Sequence, residues 1–143
     1  MNNEELSQQE WLYSEVVKDH FFNPRNYLET DEYAADGLGA AGSPVCGDLM
    51  RVWIKVDTKT NRIIECKWRT FGCASAIAST SMMSVIVTEN GGLNLEEAKK
   101  IDAQKIMDRL GGLPDNKIHC SVLGHLALRD AINDYLKKHE HGK

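Results

Sequence analysis

Thr70-Phe71-Gly72-Cys73-Ala74-Ser75-Ala76-Ile77-Ala78 is the stretch on which the reading of this chain turns. A strand-like run with Ile63, Ile64, Cys66 and Trp68 ends at Phe71-Gly72; the chain then turns, places Cys73 and enters a small-residue helix at Ala74. A cysteine at a helix N-terminus lies near unpaired amides and the positive end of the helix dipole. Both favour the thiolate, the form that binds metal or attacks sulfur. Two other segments offer similar chemistry: Pro44-Val45-Cys46-Gly47-Asp48 upstream and Ile118-His119-Cys120-Ser121 downstream. The three read as loops that close on one metal or iron–sulfur site.

With 143 residues and 42% hydrophobic content, the chain has room for one domain with a real core. Seventeen Lys and Arg against 21 Asp and Glu give a net charge of -4, with no basic stripe and no aromatic–basic alternation, so nucleic-acid binding is not expected. The apolar runs are too short to cross a bilayer. The opening MNNEELSQQEW is acidic and polar, reads as neither secretory signal nor transit peptide, and points to the cytoplasm. In a reducing compartment, dispersed cysteines are ligands, nucleophiles or buried apolar residues rather than disulfide partners.

Outward from the central stretch, residues 49–57 alternate: Met50, Val52, Ile54 and Val56 face one way, Arg51, Lys55 and Asp57 the other. A turn at Thr58-Lys59-Thr60-Asn61 leads antiparallel into a second strand over residues 62–70. Cys66 shares a face there with Ile64 and Trp68 and reads as a packing thiol, not a ligand. The helix from Ala74 is apolar nearly all round, hence central, and stops at Asn90-Gly91-Gly92. Two short helices follow, capped by Asn94 and Asp102 and closed by Gly111-Gly112. After an exposed turn at residues 113–117, a last helix starts near Cys120 or Ser121, with Leu128, Ile132 and Tyr135 on one stripe.

Upstream, Ser7-Gln8-Gln9-Glu10 matches a capping box, and Tyr13, Val16, Val17, His20 and Phe21 recur at helical spacing until Asn23-Pro24. His20 reads as a core-edge histidine bonded to a backbone group. Residues 29–43 read as a mobile lead-in to Cys46. Within them Gly37-Leu38-Gly39-Ala40-Ala41-Gly42 spells GxGxxG, but no apolar strand precedes it and Ser43-Pro44 follows where a helix should run. The dinucleotide reading is rejected, and the glycines read as backbone freedom beside a site that loads and unloads. The class is α+β: a small antiparallel sheet of about three strands against several helices, in one domain over residues 1–143. Residues 1–9 and 137–143 are expected to be mobile.

Cys46, Cys73 and Cys120 are too far apart for a local zinc finger, yet each falls at a loop or element end. Asp48 lies two residues from Cys46, and His119 adjoins Cys120. Three thiolates with one harder donor suit zinc or an iron–sulfur cluster.

The words around these cysteines carry a resemblance. PVCGDLM, TFGCASAIASTS and GLPDNKIHCSVLG, with Tyr13-Ser14-Glu15 and His20-Phe21-Phe22-Asn23-Pro24-Arg25-Asn26, resemble the IscU/NifU family of iron–sulfur assembly scaffolds over residues 11–136. The opening and HCSVLG look most like the N-terminal scaffold domain of NifU. The resemblance implies a scaffold, not a turnover enzyme, that builds a transient [2Fe–2S] cluster and hands it to apo-proteins. Cys46, Cys73 and Cys120 would be ligands, completed by Asp48 or His119, and Cys120 would accept persulfide sulfur from a pyridoxal-phosphate cysteine desulfurase. Zinc suits the same donor set, and the resemblance leaves room for an iron donor and for a homodimer when a cluster is loaded. Many relatives read LPPVK for an Hsp70-type chaperone; here Leu113-Pro114-Asp115-Asn116-Lys117 stands instead, so dedicated chaperone handling is not expected. Ala74 also replaces the usual glycine after the second cysteine. A zinc-dependent sulfurtransferase is the alternative; the short Cys73–Cys120 interval and His119 weigh against it. A thiol hydrolase using Cys120 and His119 lacks an orienting third group.

Overall fold

Alternation makes the sheet. Met50–Asp57 (β2) and Arg62–Thr70 (β3) pair antiparallel, with Met50, Val52 and Ile54 opposite Thr70, Trp68 and Cys66. The computed structural model describes residues 14–30, 32–42, 49–70, 72–112 and 118–140, with backbone alone at 118–122 and 140. One bulge breaks the alternation of β3: Lys55 faces Glu65 but Val56 faces Ile63, which leaves Ile64 as the extra residue. Ile64 therefore points outward, 53% exposed, and it is Ile63 that joins Cys66 and Trp68 in the core. Simple period-two reading had no means of placing that slip.

The third strand lies where the sequence suggests a mobile lead-in. Gly37–Ala41 (β1) pairs antiparallel with β2, so the sheet order is β1-β2-β3. Residues before it are also tied down: the Asp36 amide donates to the Ile54 carbonyl at 2.8 Å, and the Asp36 carboxylate accepts from the Val56 amide at 2.8 Å.

Among the described residues five α-helices pack with the sheet: Glu15–Phe22 (α1), Ala74–Thr88 (α2), Leu95–Lys99 (α3), Ala103–Leu110 (α4) and Ile118–Glu140 (α5). α2 and α5 pack on the inner face of the sheet, and α1 packs on α2. Ser14 caps α1 by accepting the Val17 amide, and its hydroxyl donates to the Leu110 carbonyl, joining α1 to the end of α4. The capping box at Ser7–Glu10 lies outside the described residues, as does the turn at 113–117. Asn94 and Asp102 cap α3 and α4 as their sequence suggests, and Gly111, at φ 80°, closes α4. α5 begins at Ile118, earlier than the sequence suggests, so His119 and Cys120 belong to its first turn. Among the described residues no helix is long and apolar enough to cross a membrane.

Gly37 and Gly39 of β1 have a steric role, which corrects their reading as backbone freedom beside the site. A Cβ at Gly39 would fall inside contact distance of the Ala127 carbonyl and the Ala131 amide; one at Gly37 would strike the Ala131 carbonyl. The α5 backbone thus rests directly on the β1 backbone. Gly39→Ala should destabilise the fold at the upper end of about 1–3 kcal/mol, because helix and strand must separate and neither is a flexible side chain. Urea unfolding measures this, and parent-like stability would contradict the contact.

Candidate metal and cluster site

β1 ends at Ala41, opposite Met50 at the start of β2, which in turn lies opposite Thr70 at the end of β3. One row of the sheet therefore borders both the segment that bears Cys46 and Asp48 and the turn that bears Cys73. Thr70 links the two. Buried and inward-facing, it donates from its hydroxyl to the Leu49 carbonyl at 3.1 Å and accepts the Gly72 amide at 3.1 Å. The sequence hides this role: a lone threonine at a strand end looks like ordinary β-propensity.

Cys73 is the N-cap of α2, half-buried, with extended backbone at φ −75° and ψ 178°. Its sulfur lies 3.1 Å from the Ser75 hydroxyl, and its carbonyl accepts the first helical bond from Ile77 at 3.0 Å. The first turn of α2 carries no acidic residue, so no carboxylate offsets the helix dipole there.

α5 brings the third segment to the same end. It runs antiparallel to β1, with Ala131 and Tyr135 at Gly37 and Ala127 at Gly39, so its head lies toward the exit of β1. At Gly124 it crosses the core: an added Cβ would meet Thr80 Oγ1, Met83 Sδ and Met50 Sδ at 3.5–3.9 Å. His119 and Cys120 sit in the turn beyond, on helical backbone. Cys46 and Asp48 lie outside the described residues, as do the side chains of His119 and Cys120. Among the described residues no three His, Cys, Asp or Glu side chains gather closely enough to hold a metal ion.

Two further candidates separate from this end of the sheet. Cys66, opposite Ile54, is 1% exposed, and burial pushes its thiol up to about 12. It packs, as its face predicts. His20 is buried, but its partner is a side chain rather than a backbone group: Nδ1 lies 2.7 Å from Ser81 Oγ. Ser81 Oγ also accepts the Arg25 amide at 2.9 Å, so one hydroxyl contacts both α1 and the loop after it. Ser81 stands eight residues along α2 from Cys73, about 12 Å at helical rise.

A family profile described as NifU-like N terminal domain matches residues 12–141. The chain is similar to the iron–sulfur cluster assembly scaffold protein IscU 1 of Archaeoglobus fulgidus, with 50% identity over 127 residues, 89% of this chain and 78% of that protein. It is 41% identical to the nitrogen fixation protein NifU of Nostoc sp. over 129 residues, 87% of this chain and 42% of NifU. Its fold matches the crystal structure of an N-terminal NifU-like protein from Brucella abortus, with a TM-score of 0.65 at 17% identity, covering 89% of this chain and 96% of that one.

Burial and the nearby Arg25 guanidinium hold the His20 imidazole below its ordinary 6.5, while Asp19 acts the other way. Below that value the unfolded chain takes up a proton that the folded chain refuses. The stability linked to His20 is therefore complete above about pH 6.5 and declines as the pH falls through and below it. His20→Asn keeps a hydrogen-bonding group for Ser81 and does not titrate, so it should lose less stability than the parent between about pH 7.5 and about pH 5.5. Parallel urea titrations at the two pH values compare them; equal losses would contradict the assignment.

Proposed function

Because the chain belongs to the family of NifU-like N-terminal domains, we propose that it is a scaffold on which a transient [2Fe–2S] cluster is assembled and then passed to apo-proteins. The observation that carries this reading is the common end of the sheet: β1 and β2 lead to and from the Cys46–Asp48 segment there, β3 delivers Cys73, and α5 heads toward it with His119 and Cys120. The antiparallel order puts the β1–β2 connection and the exit of β3 at one end of the sheet, and the direction of α5 along β1 adds the third segment.

Iron and sulfur are the cargo. Cys46, Cys73 and Cys120 are the proposed thiolate ligands, with Asp48 or His119 as the fourth donor. Cys120 is the proposed persulfide acceptor: its thiolate attacks the outer sulfur of a cysteine-desulfurase persulfide, forms the new S–S bond and releases the desulfurase thiolate. A helix head favours the thiolate needed for that attack. Each transferred sulfur then needs two electrons to become sulfide; ferrous iron going to ferric supplies about half of them, and an external reductant such as excess thiol supplies the rest. An oxygen or imidazole donor in place of a fourth thiolate holds iron less firmly, which suits a carrier that must release. The role is assembly rather than turnover, and the cytoplasm, where thiols stay reduced, is the compartment proposed. A zinc-dependent sulfurtransferase is not favoured, since the similar proteins are named as cluster scaffolds.

Anaerobic incubation with ferrous iron, cysteine and a desulfurase should give visible cluster absorption and stoichiometric labile sulfide. Cys46→Ser, Cys73→Ser and Cys120→Ser should each fail, and Cys66→Ser should match the parent. Asp48→Ala should yield a cluster lost more slowly to a chelator. Equal yields from all four serine variants would overturn the reading.

A further inference from the structure

β1 is an edge strand, and its outward amides are not left to solvent. The Leu38 amide donates to Asp134 Oδ2 at 2.9 Å, and the Ala40 amide donates to Asp130 Oδ2 at 3.0 Å. Both acceptors belong to α5, the helix whose backbone rests on Gly37 and Gly39. The spacing suits both bonds at once. Two strand residues advance about 6.7 Å, and four helical residues advance about 6 Å. The order is antiparallel, so one more step along each element reaches Gly42 and Leu126. Gly42 is the last described residue before the Cys46 segment, and Leu126 lies six residues from Cys120.

We propose that Asp130 and Asp134 are positioning residues for the cluster site, locking α5 in axial register with β1 and so setting where the end of β1 stands relative to the first turn of α5. This rests on the ligand reading above and extends it to residues that touch no ligand.

The glycine contact alone leaves that register loose. Glycine against a helix backbone lets the two surfaces approach, but it has no knob to stop axial sliding. A slide of one helical turn is about 5.4 Å, more than twice a zinc–sulfur bond of about 2.3 Å. Ligand sets tolerate only about 0.5 Å of such error. Beside the buried knobs Leu128 and Ile132, directional bonds donated by two strand amides to the Asp134 and Asp130 carboxylates add a stop at the β1 edge. Lys138, 2.9 Å from Asp134, and the Leu38 amide hold the Asp134 carboxyl below the usual carboxylate range, so the acceptor stays ionised. The same bonds occupy the edge amides against pairing with a foreign strand.

Cobalt(II) is the probe, since its thiolate charge-transfer and ligand-field bands report donor set and geometry. Asp130→Ala with Asp134→Ala should weaken cobalt binding by about tenfold or more and alter the thiolate band intensities, the size of loss typical when groups supporting a ligand set are removed. Asp130→Asn with Asp134→Asn keeps an acceptor oxygen at each position and should restore most of the affinity. Arg109→Ala breaks the pair with Glu89 at the far end of α2, about 24 Å along the helix from Cys73. It should cost stability while leaving cobalt affinity and spectrum as in the parent. Amide exchange at Leu38 and Ala40 should accelerate in the alanine pair and not in Arg109→Ala. If the alanine pair does not fold, Asp134→Ala alone serves, with a smaller loss in the same direction. Parent thiolate bands with unchanged binding in a folded alanine variant would overturn the inference alone. A parent without thiolate bands would overturn the ligand reading and this inference together.

Discussion

The fold depends on a contact between two backbones. α5 lies on β1 without side chains between them, because positions 37 and 39 have no Cβ and the helix offers Ala127 and Ala131. Interiors are packed to crystal-like density, so a gap of one methyl group cannot simply be absorbed. The contact brings the helix that carries His119 and Cys120 against the strand that leads toward Cys46. Strand pairing then joins β1 through β2 to β3, which ends at the turn bearing Cys73.

α2 shows how a buried helix can be rich in hydroxyls at little cost. Ser75, Ser79, Thr80, Ser81 and Ser84 are all buried. Thr80 returns its proton to the Ala76 carbonyl at 2.7 Å, Ser84 to the Ser81 carbonyl at 2.7 Å and Thr88 to the Ser84 carbonyl at 2.6 Å. These bonds satisfy groups that would otherwise be stranded in the core. Ser81 and Ser84 also accept from the loop after α1, through the Arg25 amide and the Asn26 side chain. Trp68 Nε1 reaches the same loop at the Arg25 carbonyl, 2.7 Å away, so α1, α2 and β3 meet there in a polar network with defined partners. Small side chains keep α2 close to the sheet and place Cys73 at its edge.

A carrier has to combine a firm frame with an exchangeable site, and the molecule separates the two. The frame is glycine packing, buried strands and satisfied hydroxyls. The proposed ligand segments follow where regular pairing ends at Ala41, Met50 and Thr70. Thr70 joins Leu49 and Gly72, which border two of those segments, through one hydroxyl.

Local order was written plainly in the chain. Alternation from Met50 to Val56 makes β2, the turn at Thr58–Asn61 makes the hairpin, Asn94, Asp102 and Gly111 bound their helices, and Cys73 falls where a strand hands over to a helix. Such signals act between residues a few positions apart, and so they survive in one dimension. Four features depended on tertiary contact. Gly37–Ala41 is a strand because β2 pairs with it and α5 needs its missing Cβ atoms. Ile63 rather than Ile64 faces inward because a bulge opposite Lys55 and Val56 shifts the register. His20 pairs with Ser81 across 61 positions, and the Leu38 and Ala40 amides meet Asp134 and Asp130 across 96 and 90. Steric exclusion and hydrogen-bond partnership between distant segments exist only once the chain is folded, so no periodicity along it could have announced them.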